Sequence, residues 1–453
     1  MPRLGLGLGL AKGSVLYSFF GTIISNFISR VTADSGTFEA QTCLQNYLNS
    51  LGQNLYDKAS LIITPNAYKA SKIYALKPTN GSGDLTFSRA SARTRRNSSG
   101  AIESLANNVP ALEYPVGGGC PAWSFEPQRT KVWKQSNNIA SAYYTRIGVV
   151  ALDAETIAED TSTGSHLLLQ IDAGVVTGSR YTWSAKIKAN GRSRIEIKDN
   201  ASGGGSCFID LSNGTKWSPD YIGVSRITPD TDGYYFIEFS FTATSTANYN
   251  IHIRLKNASS ADSYTGDGVS GIKIKDIGFE EGAYATSFLQ TTTASVTRIE
   301  DSLSLSGISS QIGQTAGVVF IDASFPELGS DFYFSINDGT TNNQVGIGMA
   351  SSNVLNAFIT SGGVSQANIS SVSTVVVGTR YKIAAVYDVN YFALFVNGVK
   401  IGEDLSVNTF AASVGVLSRG TGAGSGRFFG QLFGLLISNT RLSDAECITL
   451  TTL

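Results

Sequence analysis

Two adjacent glutamates and two histidines are the residues of this sequence that acid–base catalysis would use. Glu280 and Glu281 end a strand-like segment, so they are expected to point to opposite faces of that strand. Glycoside hydrolysis needs two carboxyl groups at one cleft, which this pair cannot provide. His252 alternates with two isoleucines, which predicts the outer face of a strand, and no G-x-S-x-G segment accompanies it or His166. We therefore predict no catalytic residue and expect both histidines at the surface or at an interface.

Oxygen-bearing side chains in two glycine-containing loops are candidate metal ligands. Asn337 and Asp338 lie in SINDGTTNN, and Asp267 lies in YTGDGVSG. Ca²⁺ prefers such ligands, so a structural calcium ion is one interpretation. The Asp-Gly context is also a turn signal, and an ordinary turn is the alternative. No other cofactor is expected.

Three aromatic residues are candidates for stacking on sugar rings. Exposed rings on loops would serve this purpose, and the candidates are Trp217, Tyr234 and Tyr264. Packing inside a sandwich is the favoured alternative for each ring, because large aromatic side chains are mostly buried.

The charge balance excludes two classes of partner. The 453 residues contain 34 Lys and Arg against 35 Asp and Glu. Such a chain has no overall field that would attract nucleic acid or an anionic membrane, so neither is expected as a partner. The 48 glycines favour many short strands joined by tight turns.

The four cysteines are far apart and match neither a zinc pattern nor a dense disulfide framework. Isolated buried thiols are the favoured interpretation for all of them: Cys43, Cys120, Cys207 and Cys447.

The N-terminal region, residues 1–55, contains a long uncharged segment from Gly13 to Ser29. Its serines, threonine and asparagine argue against a membrane span, which is the alternative. We expect an anchor packed against another subunit. A helix over Thr37–Leu51, capped by Ser35, is predicted from its apolar spacing. The candidate anchor contacts are Phe19, Phe20, Ile23, Ile24 and Phe27.

A basic block stands out in the β-rich connecting region that we assign to residues 56–135. It contains Arg89, Arg93, Arg95 and Arg96. No aromatic ladder accompanies these arginines, so contact with nucleic acid is disfavoured. A solvated loop or an assembly contact between subunits is expected instead.

Alternating apolar and polar residues dominate the rest of the chain. The pattern predicts two consecutive β-sandwich domains of the jelly-roll type, at residues 136–298 and 299–453. Asn397-Gly398 in YFALFVNGVKIG marks a hairpin turn, and Ser443 is a helix cap in RLSDAEC. The predicted fold is mainly β: two sandwiches preceded by an anchor with one helix and a short β-rich region.

The C-terminal region resembles concanavalin-like and laminin-G-like domains. The resemblance lies in RYKIAAVYD, LFVNGVKIGEDL and GQLFGLLISNTRLSDAE, in that order. The middle region looks like a carbohydrate-binding-type jelly roll, and its end, IKIKDIGFEEGAYATSFLQTTTASVTR, resembles a junction in modular phage virion proteins. Such families include sugar-binding, calcium-binding and purely structural members, so the fold does not decide the function.

A third block, in FSRASARTRRNSSGAIE, NNVPALEY and SFEPQRTK, also resembles these virion proteins. Lys131 departs from the pattern, because an asparagine often follows Arg-Thr in that family. The positions that match are Phe87, Arg89, Ala90, Ser91, Asn97, Gly100, Glu103, Glu126, Pro127, Gln128, Arg129 and Thr130.

The resemblance implies a non-enzymatic structural protein of a tailed-phage virion. We expect a head-fibre, tail-fibre or capsid-decoration protein that attaches to other virion proteins (capsid or tail) by its N-terminal region, forms a homotrimer and projects modules that adhere to host-surface glycans. The alternative is a secreted or surface-anchored bacterial protein that binds or cleaves glycans.

Overall fold

The structure, a computed structural model, describes residues 8–200, 205–218 and 224–453. Side chains are described from residue 19 onward, except at 172, 173, 218, 224 and 225. Strands make up 48% of the chain and helices 10%, which confirms the predicted mainly β fold.

The elements follow one another in three stretches of the described chain. The first comprises α1 Leu8–Ala33, β1 Thr37–Phe38, α2 Gln41–Lys58, β2 Leu61–Lys69, β3 Lys72–Lys77, β4 Leu85–Ser88, β5 Arg93–Arg96, β6 Ile102–Leu105, β7 Leu112–Glu113, β8 Ala122–Phe125 and β9 Arg129–Lys131. The second comprises β10 Thr145–Ile147, β11 Val149–Ala151, β12 Thr156–Glu159, β13 Thr163–Gly164, β14 His166–Val175, β15 Arg180–Asn190, β16 Arg194–Asp199, β17 Gly205–Asp210, β18 Thr215–Ser218, β19 Val224–Pro229, a 3₁₀ turn Thr231–Gly233, β20 Tyr235–Thr242, β21 Ala247–Lys256, β22 Tyr264–Thr265 and β23 Gly271–Glu281. The third comprises β24 Val296–Arg298, β25 Ser302–Ser306, β26 Gly317–Ser324, β27 Phe332–Asn337, β28 Gln344–Met349, β29 Val354–Ser361, β30 Val364–Thr374, β31 Arg380–Asp388, β32 Tyr391–Val396, β33 Val399–Asp404, β34 Val416–Ser418, β35 Gly430–Ser438 and α3 Asp444–Thr451.

The middle sandwich, β10–β21 with β23, consists of two antiparallel sheets. Their strand orders are β10-β14-β21-β16-β17-β18 and β11-β12-β23-β15-β20-β19. Alternate residues of each strand point inward, so that Trp183, Ile187 and Phe239 of the second sheet meet Ile253 of the first in one apolar core. The predicted sandwich in this part of the chain is therefore present.

The second sandwich is built from both ends of the chain, and we call it the composite sandwich. One half of its strands runs β33-β32-β31-β26-β35-β2, and the other runs β30-β29-β28-β27-β34-β25-β4-β3. The β2–β3 pairing joins the two halves. β8 pairs with the other end of β35, at Gly430–Leu432. The sequence pattern separates a connecting region at 56–135 from a sandwich at 299–453. In the structure, strands from both regions pair in the same sandwich.

Three helices cover the outer face of one half of the composite sandwich. Val318 and Phe320 of β26 point outward to the helices, whereas Val319 and Ile321 point into the sandwich core. Because both faces of β26 are buried, its sequence is a continuous apolar run rather than an alternating one. The helices contribute Phe20, Ile24, Phe27 and Val31 of α1, Leu44 and Leu48 of α2, and Leu450 of α3.

This packing corrects the predicted role of the N-terminal segment. Phe20, Ile24 and Phe27 are buried against the chain's own sheet, so they are not contacts to another subunit. Phe19 and Ile23 are half-buried against the same core. The part of the predicted anchor at residues 13–18 has no described side chains. Among the described residues, no helix combines the length and apolar character needed to cross a bilayer.

Two local predictions from turn and cap signals are confirmed, and one is wrong. Asn397 and Gly398 both have positive φ angles and join β32 to β33. Ser443 caps α3 in a reciprocal arrangement with Glu446. The predicted helix over 37–51 corresponds to α2, but its N-cap residue is Ala40 and not Ser35, because β1 pairs with β2 before the helix begins.

The expected isolation of all four cysteines is wrong for two of them. Cys43 of α2 and Cys120, in the loop before β8, form a disulfide bond across 77 positions, with 5.5 Å between their Cα atoms. Cys207 and Cys447 are buried thiols outside this disulfide bond, as expected. The disulfide bond ties the helical layer to the segment that pairs with β35.

We expect removal of this disulfide bond to destabilise the fold. Because cross-linking restricts the unfolded chain, Cys43→Ser should lower the free energy of unfolding by about 2–4 kcal/mol. Cys120→Ser should cost the same, and the double variant should cost no more than either single variant. Denaturant unfolding of oxidised protein measures this, and additive losses would contradict the pairing.

Candidate functional site

A buried carboxylate, Asp301, holds together segments that are far apart in the sequence. Its Oδ1 accepts a hydrogen bond from Arg89 Nη1, and its Oδ2 accepts one from Arg93 Nη1, each at 3.0 Å. Both guanidinium groups and the carboxylate are almost completely buried. Asp301 Oδ2 also accepts the backbone N–H of Glu126 at 2.9 Å. Burial of these charges is tolerated because each has a hydrogen-bonded partner of opposite sign.

A second carboxylate, Glu126, extends this network toward the middle sandwich. Its Oε2 lies 3.2 Å from Arg93 Nη2 and 3.1 Å from Arg298 Nη1. The backbone N–H and hydroxyl of Ser287 donate to its two oxygens at 2.7 and 2.8 Å. Burial by itself would raise the pKa of Glu126, but Arg298, Arg93 and Ser287 lower it to about 2. We call Arg89, Arg93, Glu126, Arg298 and Asp301 the arginine–carboxylate hub.

The hub unites the sequence blocks that carry the family resemblance. Arg89 and Arg93 come from the basic block, and Glu126 comes from the SFEPQRTK block. Arg298 ends the junction after the middle sandwich, and Asp301 follows it at the start of the composite sandwich. Residues that look like separate motifs in the sequence are thus one three-dimensional feature.

The remaining arginines of the block are also paired within the chain. Arg95 donates to Glu103 at 2.7 Å and to Glu39 at 2.9 Å. Arg96 donates to Asp230 of the middle sandwich at 2.7 Å. The predicted solvated loop or subunit contact at Arg89, Arg93, Arg95 and Arg96 is therefore wrong, because all four side chains are buried by intramolecular carboxylates and backbone.

The candidate calcium ligands cap turns instead. Asn337 accepts the N–H of Gly339 at 2.9 Å, and Asp338 accepts that of Thr340 at 2.8 Å. Asp267 accepts the backbone N–H groups of Val269 and Ser270 in the same manner. The structure supports the turn alternative, and no group of three or more His, Cys, Asp or Glu side chains suited to a metal ion occurs in the described chain.

The three aromatic candidates are packed to different degrees. Tyr234 and Tyr264 are buried, and the Tyr264 hydroxyl donates to Glu159 at 2.8 Å. Trp217 is half-buried, with its ring centroid 4.6 Å from that of Phe208. Neither tyrosine presents a free face for a sugar, so the packed alternative holds for both.

The acid–base residues have structural partners. Glu280 is buried and accepts both the N–H and the hydroxyl of Thr286, whereas Glu281 is exposed, which confirms their opposite faces. His166 and His252 are buried, so their expected surface location is wrong. The ring nitrogens of His166 face two backbone carbonyls, and those of His252 face Asn250 and Arg254.

A crevice lies between the middle sandwich and the composite sandwich, directly beside the hub. Its larger chamber has a volume of about 420 Å³ and its smaller chamber one of about 270 Å³. We call the two chambers together the junction crevice. They share Ser124, Glu126, Ala285 and Gln431 as lining residues.

The larger chamber combines apolar surface with one weakly satisfied carboxyl group. Phe236 and Phe288 line it and are both half-buried. Glu113 accepts the backbone N–H of Arg96 at 3.1 Å through Oε1, and within the described residues its Oε2 has no hydrogen bond. Burial raises the pKa of Glu113, although Arg93 and the backbone N–H of Arg96 oppose the shift.

The smaller chamber contains two buried polar atoms that lack a hydrogen-bond partner among the described residues. They are Glu238 Oε1 and the Tyr284 hydroxyl. The nearest cation to Glu238, Arg226 Nη2, is 3.8 Å away and belongs to a side chain that is 42% exposed. Burial raises the pKa of Glu238, and Arg226 and a hydrogen bond from the backbone N–H of Ala285 offset this only in part.

Sequence reasoning missed these crevice residues because they carry no local signal. Glu238 alternates with the apolar residues of YFIEFSFT, as an ordinary solvent-facing residue of an amphipathic strand does. Its burial arises only when the outer face of that sheet docks against residues 284–288 and the composite sandwich.

Comparison with known proteins bears on the composite sandwich. The family model of the "Concanavalin A-like lectin/glucanases superfamily" matches residues 324–447. No curated protein matches the chain. Among solved structures, the CBM40 domain of Ruminococcus gnavus IT-sialidase is similar, with 19% sequence identity and a TM-score of 0.27. The match covers 31% of this chain and 84% of the sialidase chain. Domains LG4-5 of the mouse laminin alpha1 chain are 12% identical, cover 68% and 91%, and have a TM-score of 0.22. Similarities this weak carry no argument about function.

We expect the loss of one hub charge to destabilise the fold strongly. Asp301→Asn keeps the side-chain shape but leaves the buried Arg89 without its carboxylate partner and Arg93 with Glu126 alone, so the free energy of unfolding should fall by about 3–5 kcal/mol. The matched control is Glu403→Gln, which breaks the partly exposed pair with Lys400 and should cost less than about 1 kcal/mol. Chemical denaturation measures both losses of unfolding free energy. Equal losses for the two variants would show that the hub stabilises the fold no more than an exposed ion pair does.

Proposed function

We propose that this chain is a non-catalytic, carbohydrate-binding structural protein. The match of residues 324–447 to a family of lectins and glucanases is the observation that carries the proposal. Lectin-like binding is favoured over hydrolysis because the buried glutamate of the Glu280–Glu281 pair and both histidines are engaged in structural hydrogen bonds. The fold alone does not decide between these activities, so the argument depends on these contacts.

A virion component is the form that we propose for this function. The support is the hub, because residues of the two blocks that resemble modular phage virion proteins converge on one buried network. The disulfide bond between Cys43 and Cys120 is consistent with exposure to an oxidising environment, which virion surfaces and secreted proteins share. The homotrimer stays a prediction, since the N-terminal side chains expected at its axis are covered by the chain itself.

An array of immobilised oligosaccharides tests the carbohydrate-binding proposal. The full-length oxidised chain should bind a defined subset of glycans at micromolar concentration, as a preformed polar pocket of moderate size permits. Chain carrying Asp301→Asn, tested above its unfolding transition, is the control for nonspecific adhesion. Absence of any glycan-dependent signal would contradict the proposal.

Particle labelling tests the proposed location. Gold-labelled antibody against the chain should decorate particles released by cells that carry its gene, at a fixed structure of the head or tail. Label confined to the cell envelope or to soluble secreted protein would instead support the bacterial glycan-binding alternative. Light scattering of the purified chain measures the oligomeric state independently.

A further inference from the structure

Two side chains of the junction crevice each have a buried polar atom that lacks a hydrogen-bond partner among the described residues. Buried side-chain donors and acceptors are nearly always hydrogen-bonded in native proteins, so an exception requires an explanation. Glu238 and Tyr284 are each 7% exposed, and both side chains line the smaller chamber. One atom of each, Glu238 Oε1 and the Tyr284 hydroxyl, is buried without a hydrogen bond in the described chain. Elsewhere at this junction the fold satisfies such groups, as it does for Glu280 and Glu126.

The polar atoms without partners would be satisfied by a ligand that both donates and accepts hydrogen bonds. Glu238 Oε1 is an acceptor, and the Tyr284 hydroxyl needs an acceptor for its proton. Glu113 Oε2 adds a further acceptor in the larger chamber. A hydroxyl group meets both demands at once, and neighbouring hydroxyl groups on one ring meet several of them together.

The larger chamber also supplies apolar surface of the kind that sugar rings contact. Phe236 lies on the outer face of the second sheet, in β20. Phe288 lies in the segment between β23 and β24 and lines the same chamber. Aromatic rings with a few converging polar groups are the usual lining of small-molecule sites, and both chambers have volumes near the range of such sites.

Charge in the crevice selects against acidic sugars. Lys186 lies 3.3 Å from Asp230 and 3.0 Å from Asp276, and Arg96 also binds Asp230. The cations of the larger chamber are thus already committed to carboxylates of the chain. In the larger chamber, one group left without a hydrogen bond among the described residues is a carboxyl oxygen, Glu113 Oε2, which would repel a ligand carboxylate. The cation that lines the smaller chamber, Arg226, already faces Glu238 Oε1 at 3.8 Å, so a ligand carboxylate would have to compete with Glu238 for it.

We propose that the junction crevice binds a neutral oligosaccharide, with adjacent sugar units in the two chambers. This inference rests on the proposed carbohydrate-binding function and adds its location and its ligand class. The site exists only when the middle sandwich is docked on the composite sandwich, because each chamber draws its lining from both. Glu126 belongs to the hub and to both chambers, so the hub also forms part of the floor of the site.

The test uses the full chain on an array that holds matched neutral and sialylated oligosaccharides, followed by calorimetry with the strongest neutral binder. Glu238→Gln and Tyr284→Phe change one hydrogen-bonding group each with little change of shape, and each should weaken binding about tenfold or more. Phe236→Ala should do the same by removing apolar contact. Glu403→Gln and Val150→Ala, which alter exposed residues outside the lining of both chambers, should leave affinity within about twofold of the wild type.

Thermal unfolding separates a binding role from a structural one. Tyr284→Phe removes a buried hydroxyl that has no partner in the free protein, so its melting temperature should equal or exceed that of the wild type. A lowered melting temperature together with unchanged affinity would assign the hydroxyl to the fold and overturn its role in binding. If Tyr284→Phe does not fold, Glu238→Gln and Phe236→Ala decide.

The possible results distinguish this inference from the proposed function. Neutral binders whose affinity falls in the crevice variants support both. Neutral binders whose affinity is unchanged in all three crevice variants overturn the crevice and leave carbohydrate binding intact. Binding of sialylated glycans alone overturns the ligand class. No binding at all overturns the proposed function, and the inference with it.

Discussion

The pairing of Asp301 with Arg89 and Arg93 is the interaction on which the arrangement of the molecule depends. It joins a residue near the start of the composite sandwich's C-terminal strands to a block more than two hundred residues earlier. Through Glu126 the same network reaches Arg298 and Ser287, which lie at the exit of the middle sandwich. A charge network of this kind does not add much net stability over apolar packing, but it penalises any arrangement that leaves one charge unpaired. It therefore specifies how the sandwiches are placed.

The placement of the two sandwiches determines which polar groups are shielded from water. The second sheet of the middle sandwich turns a polar outer face, with Ser184, Glu238 and Glu280, toward the composite sandwich. In an isolated sandwich this face would be solvated. Docking removes water from it, satisfies Glu280 through Lys131 and Thr286, and leaves one oxygen of Glu238, Oε1, without a hydrogen bond among the described residues. The structure thus contains a set of desolvated groups at a site where two units meet, which is a common location for ligands.

Local patterns in the sequence predicted local structure well and distant pairings poorly. The Asn397-Gly398 turn, the Ser443 cap and the alternating strands of the middle sandwich each depend on residues within one segment. By contrast, the partners of Arg89 and Arg93, and the link between Cys43 and Cys120, depend on positions from 77 to more than 200 residues away. One long-range feature had a usable signal: Phe20, Ile24, Phe27 and Val31 follow helical spacing, which indicates an amphipathic helix with a sheet to cover. The crevice had none, because its lining comes from many segments that are far apart in the sequence.

The strand pairing of β35 determines when the chain can complete its fold during synthesis. β2 and β8 are synthesised early, yet both pair with β35. That strand is synthesised some three hundred residues after β8, when the entire middle sandwich has been made. Non-local pairings of this type slow folding, and an unpaired strand edge attracts other chains in the meantime. The middle sandwich, whose two sheets are formed entirely by strand pairings within its own stretch, can form first and hold the two ends of the composite sandwich in reach. Premature termination before β35 would leave β2 with an open edge, so we would look for such fragments in aggregates and with chaperones.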